Sequence, residues 1–141
     1  MKRYKNILLI DDNVDDQVLF LEALKNLNQG FQCTIADSSP QGLTKLLAYQ
    51  TPDLIFLDIN LPAMDGFEFI KHLKKDENYN HIPVIIYSGS NDKNVVMKSK
   101  KAGASVFLSK PFKLEDLVYN LGVILNLDFE SENFVFDFFT S

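Results

Sequence analysis

Three short apolar runs in this chain each end directly in a polar side chain, and this pattern restricts the fold more than any other feature. An apolar run of four residues without a polar interruption indicates a strand that is buried on both faces. The polar side chain then marks the strand end, where open α/β sheets bind their ligands. The runs are Ile7 to Ile10 before Asp11 and Asp12, Leu54 to Leu57 before Asp58, and Val84 to Tyr87 before Ser88.

Two further segments, 31–36 and 104–109, alternate apolar and polar residues. Alternation indicates a strand with one polar face or an edge position, so we expect these two strands at the two edges of the sheet. Helical periodicity predicts five helices, at about 14–28, 39–49, 67–75, 92–101 and 114–124. Strands that alternate with helices predict an α/β fold: a doubly wound, five-stranded parallel sheet of order 2-1-3-4-5, which is the flavodoxin-like (βα)5 arrangement.

The helices differ in how strongly the sequence anchors them. In the first helix Val14, Val18, Leu21 and Leu24 recur at helical spacing and are expected to face the sheet. In the second helix Leu47 is among the leucines expected to face inward. The fourth helix has three adjacent apolar residues among four lysines, so we expect it to be weakly anchored.

Charge and cysteine content exclude several classes of protein. The chain has 141 residues with 14 basic and 19 acidic side chains, a net charge of -5, and one cysteine. This charge disfavours nucleic acid and anionic membranes as partners, and a single cysteine allows no internal disulfide. The apolar run behind the basic N-terminus has four residues, which is too short for a signal peptide or a membrane span. We therefore expect a cytoplasmic protein.

Parallel neighbouring strands would bring the three aspartates and the serine to one edge of the sheet. Three carboxylates at close range repel one another and need a cation. Asp11-Asp12 also suits the cap of the first helix, and that role is compatible with metal binding.

The combined pattern of Asp11-Asp12, Asp58, Ser88 and Lys110-Pro111, each at a strand end, resembles the receiver domain of two-component response regulators. The resemblance covers about residues 5–125. It also includes Leu61-Pro62, Met64-Asp65-Gly66 and Lys110-Pro111-Phe112. It implies a stand-alone receiver domain at 1–125, followed by an aromatic C-terminal extension at 126–141.

The resemblance implies a phosphoacceptor module of a phosphorelay. Asp58 would take a phosphoryl group from a phosphohistidine on a sensor histidine kinase or a phosphotransfer protein. Asp11, Asp12 and Asp58, with the backbone carbonyl of Asn60, would bind Mg²⁺, a hard cation that prefers oxygen ligands. Such a domain catalyses only its own phosphorylation and dephosphorylation and is not otherwise an enzyme.

The resemblance also implies a switch. Lys110 and Ser88 would stabilise the charge of the phosphoryl group, and the Lys110–Pro111 peptide bond would be cis. On phosphorylation Ser88 moves inward and Phe107, which replaces the commoner tyrosine, turns inward behind it. The surface of the fourth helix, fifth strand and fifth helix would then change and control binding of a downstream protein target.

Other functions compete with this one. A receiver that passes its phosphoryl group on, as a phosphorelay shuttle, would have the same residues. A phosphatase of the haloacid dehalogenase type also forms an aspartyl phosphate, but it needs a second aspartate two residues later as general acid and base, and Asn60 stands there. A Ca²⁺ loop beginning at Asp11 would need glycine at its sixth position, where Asp16 stands.

The segment 126–141 holds five of the 12 phenylalanines, which is too aromatic for a solvated tail. Phe134, Phe136 and Phe138 alternate, so this tail can extend as a strand along a sheet edge or dock its rings in a groove. Two arrangements remain open. One is packing on its own domain; the other is a partner contact or a homodimer through the tail or the surface of helix 4, strand 5 and helix 5.

Overall fold

The computed structural model describes residues 4–48, 50–61 and 64–139. Tyr49, the expected end of the second helix, and Pro62 of the Leu61-Pro62 motif lie outside the described residues. The described residues form six strands and five helices, which alternate up to the last helix. The strands are β1 (Asn6–Ile10), β2 (Gln32–Ala36), β3 (Leu54–Leu57), β4 (Val84–Ser88), β5 (Val106–Ser109) and β6 (Asp137–Phe139). The helices are α1 (Val14–Leu27), α2 (Ser39–Ala48), α3 (Gly66–Lys75), α4 (Lys93–Ala102) and α5 (Leu114–Ile124).

The strands form one sheet of order β2-β1-β3-β4-β5-β6, in which every neighbouring pair is parallel. The predicted doubly wound fold and its order over the first five strands are confirmed, and β2 lies at an edge as expected. The prediction that β5 forms the other edge is wrong. The C-terminal tail adds β6 beside β5, and all four residues of β5 are consequently buried.

Two hydrophobic cores flank the sheet, one on each face. One core joins the sheet to α1 and α5 through Phe20, Leu117 and Leu121. The other joins it to α2 and α3 through Leu46 and Phe69. Continuous apolar strands therefore fit this fold, because each strand sends alternate side chains into opposite cores.

Tertiary packing buries Leu24 of α1 as the spacing predicted, but it leaves the other three residues of the predicted face exposed. Val14 and Val18 are 67% and 60% exposed, and Leu21 is also exposed. The buried face instead contains Phe20, whose ring packs edge-on against Phe56 at 5.0 Å between centroids. The large ring buries more apolar area than a valine does, so the helix turns Phe20 toward the sheet.

The other helices vary in how deeply they are packed. Leu47 of α2 was expected to face inward but is 78% exposed. In α4 only Ser99 is fully buried, which agrees with the weak anchoring that its sequence predicts. None of the helices in the described ranges is both long and apolar enough to cross a bilayer.

The tail packs on its own domain, which is the first of the two arrangements left open by its sequence. The ring of Phe129 contacts Tyr4 at 5.4 Å and Phe134 at 5.0 Å between centroids. In β6, Phe138 pairs with Phe107 of β5, and their rings meet edge to face at 5.5 Å. The tail therefore covers the edge of β5, and β6 becomes the outermost strand on that side of the sheet.

Candidate functional site

Three aspartates meet at the carboxyl end of the sheet, as the strand-end pattern predicted. Ile10 and Leu57 are paired residues of β1 and β3, so Asp11 and Asp58, which follow them, emerge side by side. A carboxylate oxygen of Asp11, one of Asp12 and one of Asp58 all lie within 4.8 Å of one another. Asp11 and Asp58 are buried, whereas Asp12 is exposed. The site therefore combines two buried acids with one acid at the solvent boundary.

Asp11 is the most deeply buried of these acids. Its Oδ1 accepts a hydrogen bond from the backbone N–H of Asn13 at 2.9 Å. Its Oδ2 lies 2.9 Å from Lys110 Nζ but, among the described residues, accepts no aligned hydrogen bond. Burial raises the pKa of Asp11, and the Asn13 and Lys110 contacts oppose that shift only in part. The one cation within contact of Asp11 among the described residues, Lys110, is shared with two other carboxylates, so negative charge remains in excess and this position favours a further cation.

The donor set fits a hard divalent cation. Asp11 and Asp12, which follow β1, and Asp58, which follows β3, offer carboxylate oxygens within 4.8 Å of one another. Asp11 Oδ2, which accepts no aligned hydrogen bond among the described residues, is available as a ligand for such a cation. Magnesium typically takes one or two carboxylates, keeps several waters and uses substrate phosphate for the remaining positions. Asp12, at the solvent boundary, leaves room for such waters.

Lys110 links the acids. It follows β5, and its Nζ lies 3.0 Å from Asp58 Oδ2, 2.8 Å from Asp16 Oδ2 and 2.9 Å from Asp11 Oδ2. Burial by itself lowers the pKa of Lys110. The hydrogen bond to Asp16 and the charges of Asp58 and Asp11 outweigh burial and raise the pKa of this ammonium above its usual range. Lys110 is therefore a fixed positive charge beside the Asp58 carboxylate.

Comparison with known proteins agrees with this geometry. The family model described as the response regulator receiver domain matches residues 7–121. The chain belongs to this family. A probable chemotaxis protein CheY of Rhizobium etli is 33% identical over 112 residues, which make up 79% of this chain and 84% of that protein.

Solved structures of response regulators have the same fold. The phosphorylated cyanobacterial phytochrome response regulator RcpA superposes with a TM-score of 0.78 at 28% identity, covering 86% of this chain and 91% of that one. The Mn²⁺-bound form of response regulator Rcp1 superposes with a TM-score of 0.77, also at 28% identity, covering 92% of this chain and 96% of that one. The six-stranded sheet of this receiver is thus a small extension of a shared fold.

One predicted feature of this receiver is wrong. The Lys110–Pro111 bond was expected to be cis, but among the described residues no peptide bond is cis. The trans form is the lower-energy isomer of an X–Pro bond. The long side chain of Lys110 reaches Asp58 from the trans backbone. The backbone N–H of Lys110 donates to the Ser88 carbonyl at 2.7 Å.

The two predicted switch residues lie on neighbouring strands. Ser88 is the last residue of β4, which lies between β3 and β5 in the sheet. Its buried Oγ accepts a hydrogen bond from Ser90 N at 3.2 Å. Phe107 lies in β5 and is fully buried, with Phe138 against its ring. Their roles in a switch stay predictions.

Asp16 is a contributor that the sequence analysis missed. It lies in the first turn of α1, not at a strand end, and its Oδ2 accepts a hydrogen bond from Lys110. The available signal was its position in the first turn of α1, which begins after only three residues that follow β1. That spacing brings a carboxylate of α1 back toward the site.

Asn60 does not supply the chemistry of a phosphatase. Its backbone N–H donates to Asp58 Oδ1 at 2.9 Å and so orients the Asp58 carboxylate. Its side-chain amide cannot act as a general acid or base. Its predicted role, a backbone carbonyl toward the metal, stays a prediction.

Gly66 sets the distance between α3 and the strand end that carries Asp58. A Cβ added at Gly66 would lie 2.7 Å from Ile59 Cα and 2.9 Å from the Asp58 carbonyl oxygen. Backbone atoms cannot yield as a flexible side chain does, so we expect Gly66→Ala to lower the free energy of unfolding by about 1–3 kcal/mol. Urea denaturation measures this change.

Gly89→Ala is the matched control for that substitution. A Cβ at Gly89 would meet no atom within 4 Å, so we expect a change within about 0.5 kcal/mol. Equal effects of the two substitutions would contradict the close approach at Gly66.

Proposed function

We propose that this receiver accepts a phosphoryl group on Asp58 from a phosphohistidine, with Mg²⁺ bound at Asp11, Asp12 and Asp58, and that phosphorylation controls binding of a protein target. The donor would be a sensor histidine kinase or a phosphotransfer protein. The observation that carries this proposal is the fixed Asp58 carboxylate beside both Lys110 and the Asp11 oxygen that lacks a hydrogen bond.

The Asp58 carboxylate is suited to attack phosphorus. Its Oδ1 accepts from Asn60 N and its Oδ2 accepts from Lys110 Nζ, so the group is held in one orientation. Two carboxylate oxygens together accept about four hydrogen bonds, which leaves lone pairs for bond formation. Holding the nucleophile in place lowers the entropic cost of the reaction.

The transfer makes one bond and breaks one. An oxygen of Asp58 bonds to phosphorus while the phosphorus–nitrogen bond of the phosphohistidine breaks. The electron pair of that bond stays with the imidazole nitrogen, and the ring, which has taken a proton from solvent on its other nitrogen before the transfer, leaves as neutral imidazole. Lys110 donates to a phosphoryl oxygen during transfer, and the Ser88 hydroxyl donates to another in the product.

Asp11, Asp12 and Asp58 would hold the Mg²⁺, together with the backbone carbonyl of Asn60. Bound there, Mg²⁺ supplies positive charge to the phosphoryl oxygens and to the crowded carboxylates. Asp12, as the exposed acid, faces the side from which phosphate and water arrive.

Exposed apolar side chains beside the site suit contact with a donor protein. Phe112 is 98% exposed and lies two residues after Lys110, whose Nζ bonds Asp16 of α1. On α1 itself, Val14 and Val18 are exposed. Large apolar groups that the fold does not bury are a feature of contact surfaces. We propose that the phosphodonor docks on these three residues.

The target-binding surface of this receiver includes the tail. Since β6 covers β5, the surface between α4 and α5 is made by α4, β6 and α5. Met97, Phe138 and Tyr119, one from each element, are exposed there. We propose that this surface, which replaces the expected surface of α4, β5 and α5, contacts the target.

Incubation with a small acyl-phosphate donor tests the function. With Mg²⁺ we expect intact mass to show one added phosphoryl group that is labile in base. Because crowded carboxylates repel an incoming phosphoryl group, we expect a chelator of Mg²⁺ to prevent the addition and excess Mg²⁺ to restore it. Addition at the same rate in the chelator would contradict the metal site, and no addition in Mg²⁺ would contradict the function.

A further inference from the structure

Asp16 contacts the central lysine without belonging to the group of metal-ligating acids. The group whose oxygens converge consists of Asp11, Asp12 and Asp58. Asp16 Oδ2 nevertheless lies 2.8 Å from Lys110 Nζ, the shortest of the three lysine contacts. The Asp16 side chain is 30% exposed, so its charge is only partly screened by water.

The lysine has a limited number of donors. An ammonium group has three N–H bonds, and three carboxylates lie within 3.0 Å of Lys110 Nζ: one on α1 and two in the residues that follow β1 and β3. Its aligned hydrogen bonds go to Asp16 and Asp58. A phosphoryl group on Asp58 adds oxygen acceptors at the same ammonium. Lys110 must then share its donors between those oxygens and Asp16.

The negative charge of Asp16 also disfavours a phosphoryl group on Asp58. A phosphoryl group places negative charge beside Asp58, and Asp16 is a further negative charge on the same lysine. Like charges at this range disfavour one another. A neutral side chain at position 16 would remove the repulsion and free a donor of Lys110.

We propose that Asp16 is a positioning residue that holds Lys110 in the unphosphorylated receiver and competes with the phosphoryl group for it. This inference rests on the proposed function, because it assumes a phosphoryl group on Asp58. Its consequence is that Asp16 weakens the phosphorylated state.

The test compares two neighbouring substitutions with the same change of net charge. Asp16→Asn removes the lysine contact, whereas Asp15→Asn alters an exposed residue of the same helical turn. The probe is beryllofluoride with Mg²⁺, a tetrahedral phosphoryl mimic that binds a carboxylate oxygen without a chemical step, titrated by calorimetry. We expect Asp16→Asn to bind it about threefold to fivefold more tightly than Asp15→Asn does, the size of a partly exposed charge interaction.

A double-mutant cycle assigns the effect to the lysine. In a Lys110→Met background the difference between the two asparagine variants should shrink, since Asp16 then has no ammonium to hold and only its charge repulsion with the bound anion is left. A purely structural role for Asp16 would leave the difference in place, and urea denaturation reports such a role separately.

The outcomes separate the two proposals. Binding by the wild-type protein with equal affinities for the two asparagine variants would overturn the role of Asp16 alone. A difference of undiminished size in the absence of Lys110 would also overturn it. No binding of beryllofluoride by the wild-type protein would overturn the proposed function, and the role of Asp16 with it.

Discussion

Asp58→Asn is expected to abolish phosphoryl uptake from a small acyl-phosphate donor in the presence of Mg²⁺. The amide of asparagine lacks the nucleophilic carboxylate oxygen that forms the acyl phosphate. Its single carbonyl oxygen can keep only one of the two hydrogen bonds that the carboxylate accepts from Asn60 N and Lys110 Nζ, but the side chain keeps its size and shape, so the fold should persist. Intact mass measures uptake, and urea denaturation checks that the variant is folded.

Asp15→Asn provides the control for Asp58→Asn. It removes one negative charge from an exposed position in the first turn of α1 and should take up the phosphoryl group at the wild-type level. A base-labile phosphoryl group on the Asp58→Asn variant would identify a different acceptor. Asp12 would then be the next candidate, since it is the exposed acid of the group.

Truncation after Asn126 is expected to lower the free energy of unfolding by an amount on the order of 3 kcal/mol. It removes the ring of Phe129 from Tyr4, the ring of Phe134 that packs on Phe129, and the ring of Phe138 from Phe107. A fully buried phenylalanine contributes roughly 1.5–3 kcal/mol, but these rings are only partly buried and the tail loses conformational entropy on docking. Urea denaturation of the full and truncated chains measures the difference.

Val135→Ala is the matched control within the tail. Its side chain is 75% exposed, so we expect a change within about 0.5 kcal/mol. An unchanged stability of the truncated chain would contradict the docked tail. Light scattering on both chains also tests the homodimer, which stays a prediction: a change of mass on truncation would assign the tail to a contact between copies.

Several parts of the fold follow from the sequence because they depend on local patterns. A run such as Ile7 to Ile10 has no polar face, so it suits only a strand covered on both sides. Parallel strands with helical crossovers all end at the same edge of the sheet. The placement of Asp11, Asp58, Ser88 and Lys110 at that edge therefore needed no knowledge of side-chain packing.

Other parts were decided by contacts between distant segments. The helical period of α1 is compatible with a buried stripe that contains Val14 and Val18. Phe20 is larger and fits against Phe56, so packing against the sheet buries the face that contains Phe20 instead. The alternation in β5 suggested an edge, but a tail strand more than 25 residues later covers it. Neither the buried face of α1 nor the pairing of the tail with β5 can be predicted from a short stretch of sequence.

The sequence by itself determined the layout of this receiver: which segments are strands, which are helices, and which acids stand where strands end. Only the tertiary structure decided that Lys110 is shared by Asp11, Asp16 and Asp58, and that the Lys110–Pro111 bond is trans. The physical reason is range. Hydrophobic periodicity acts over a few residues, whereas an ion pair between Lys110 and Asp16 joins residues 94 positions apart and depends on how a whole helix lies on the sheet.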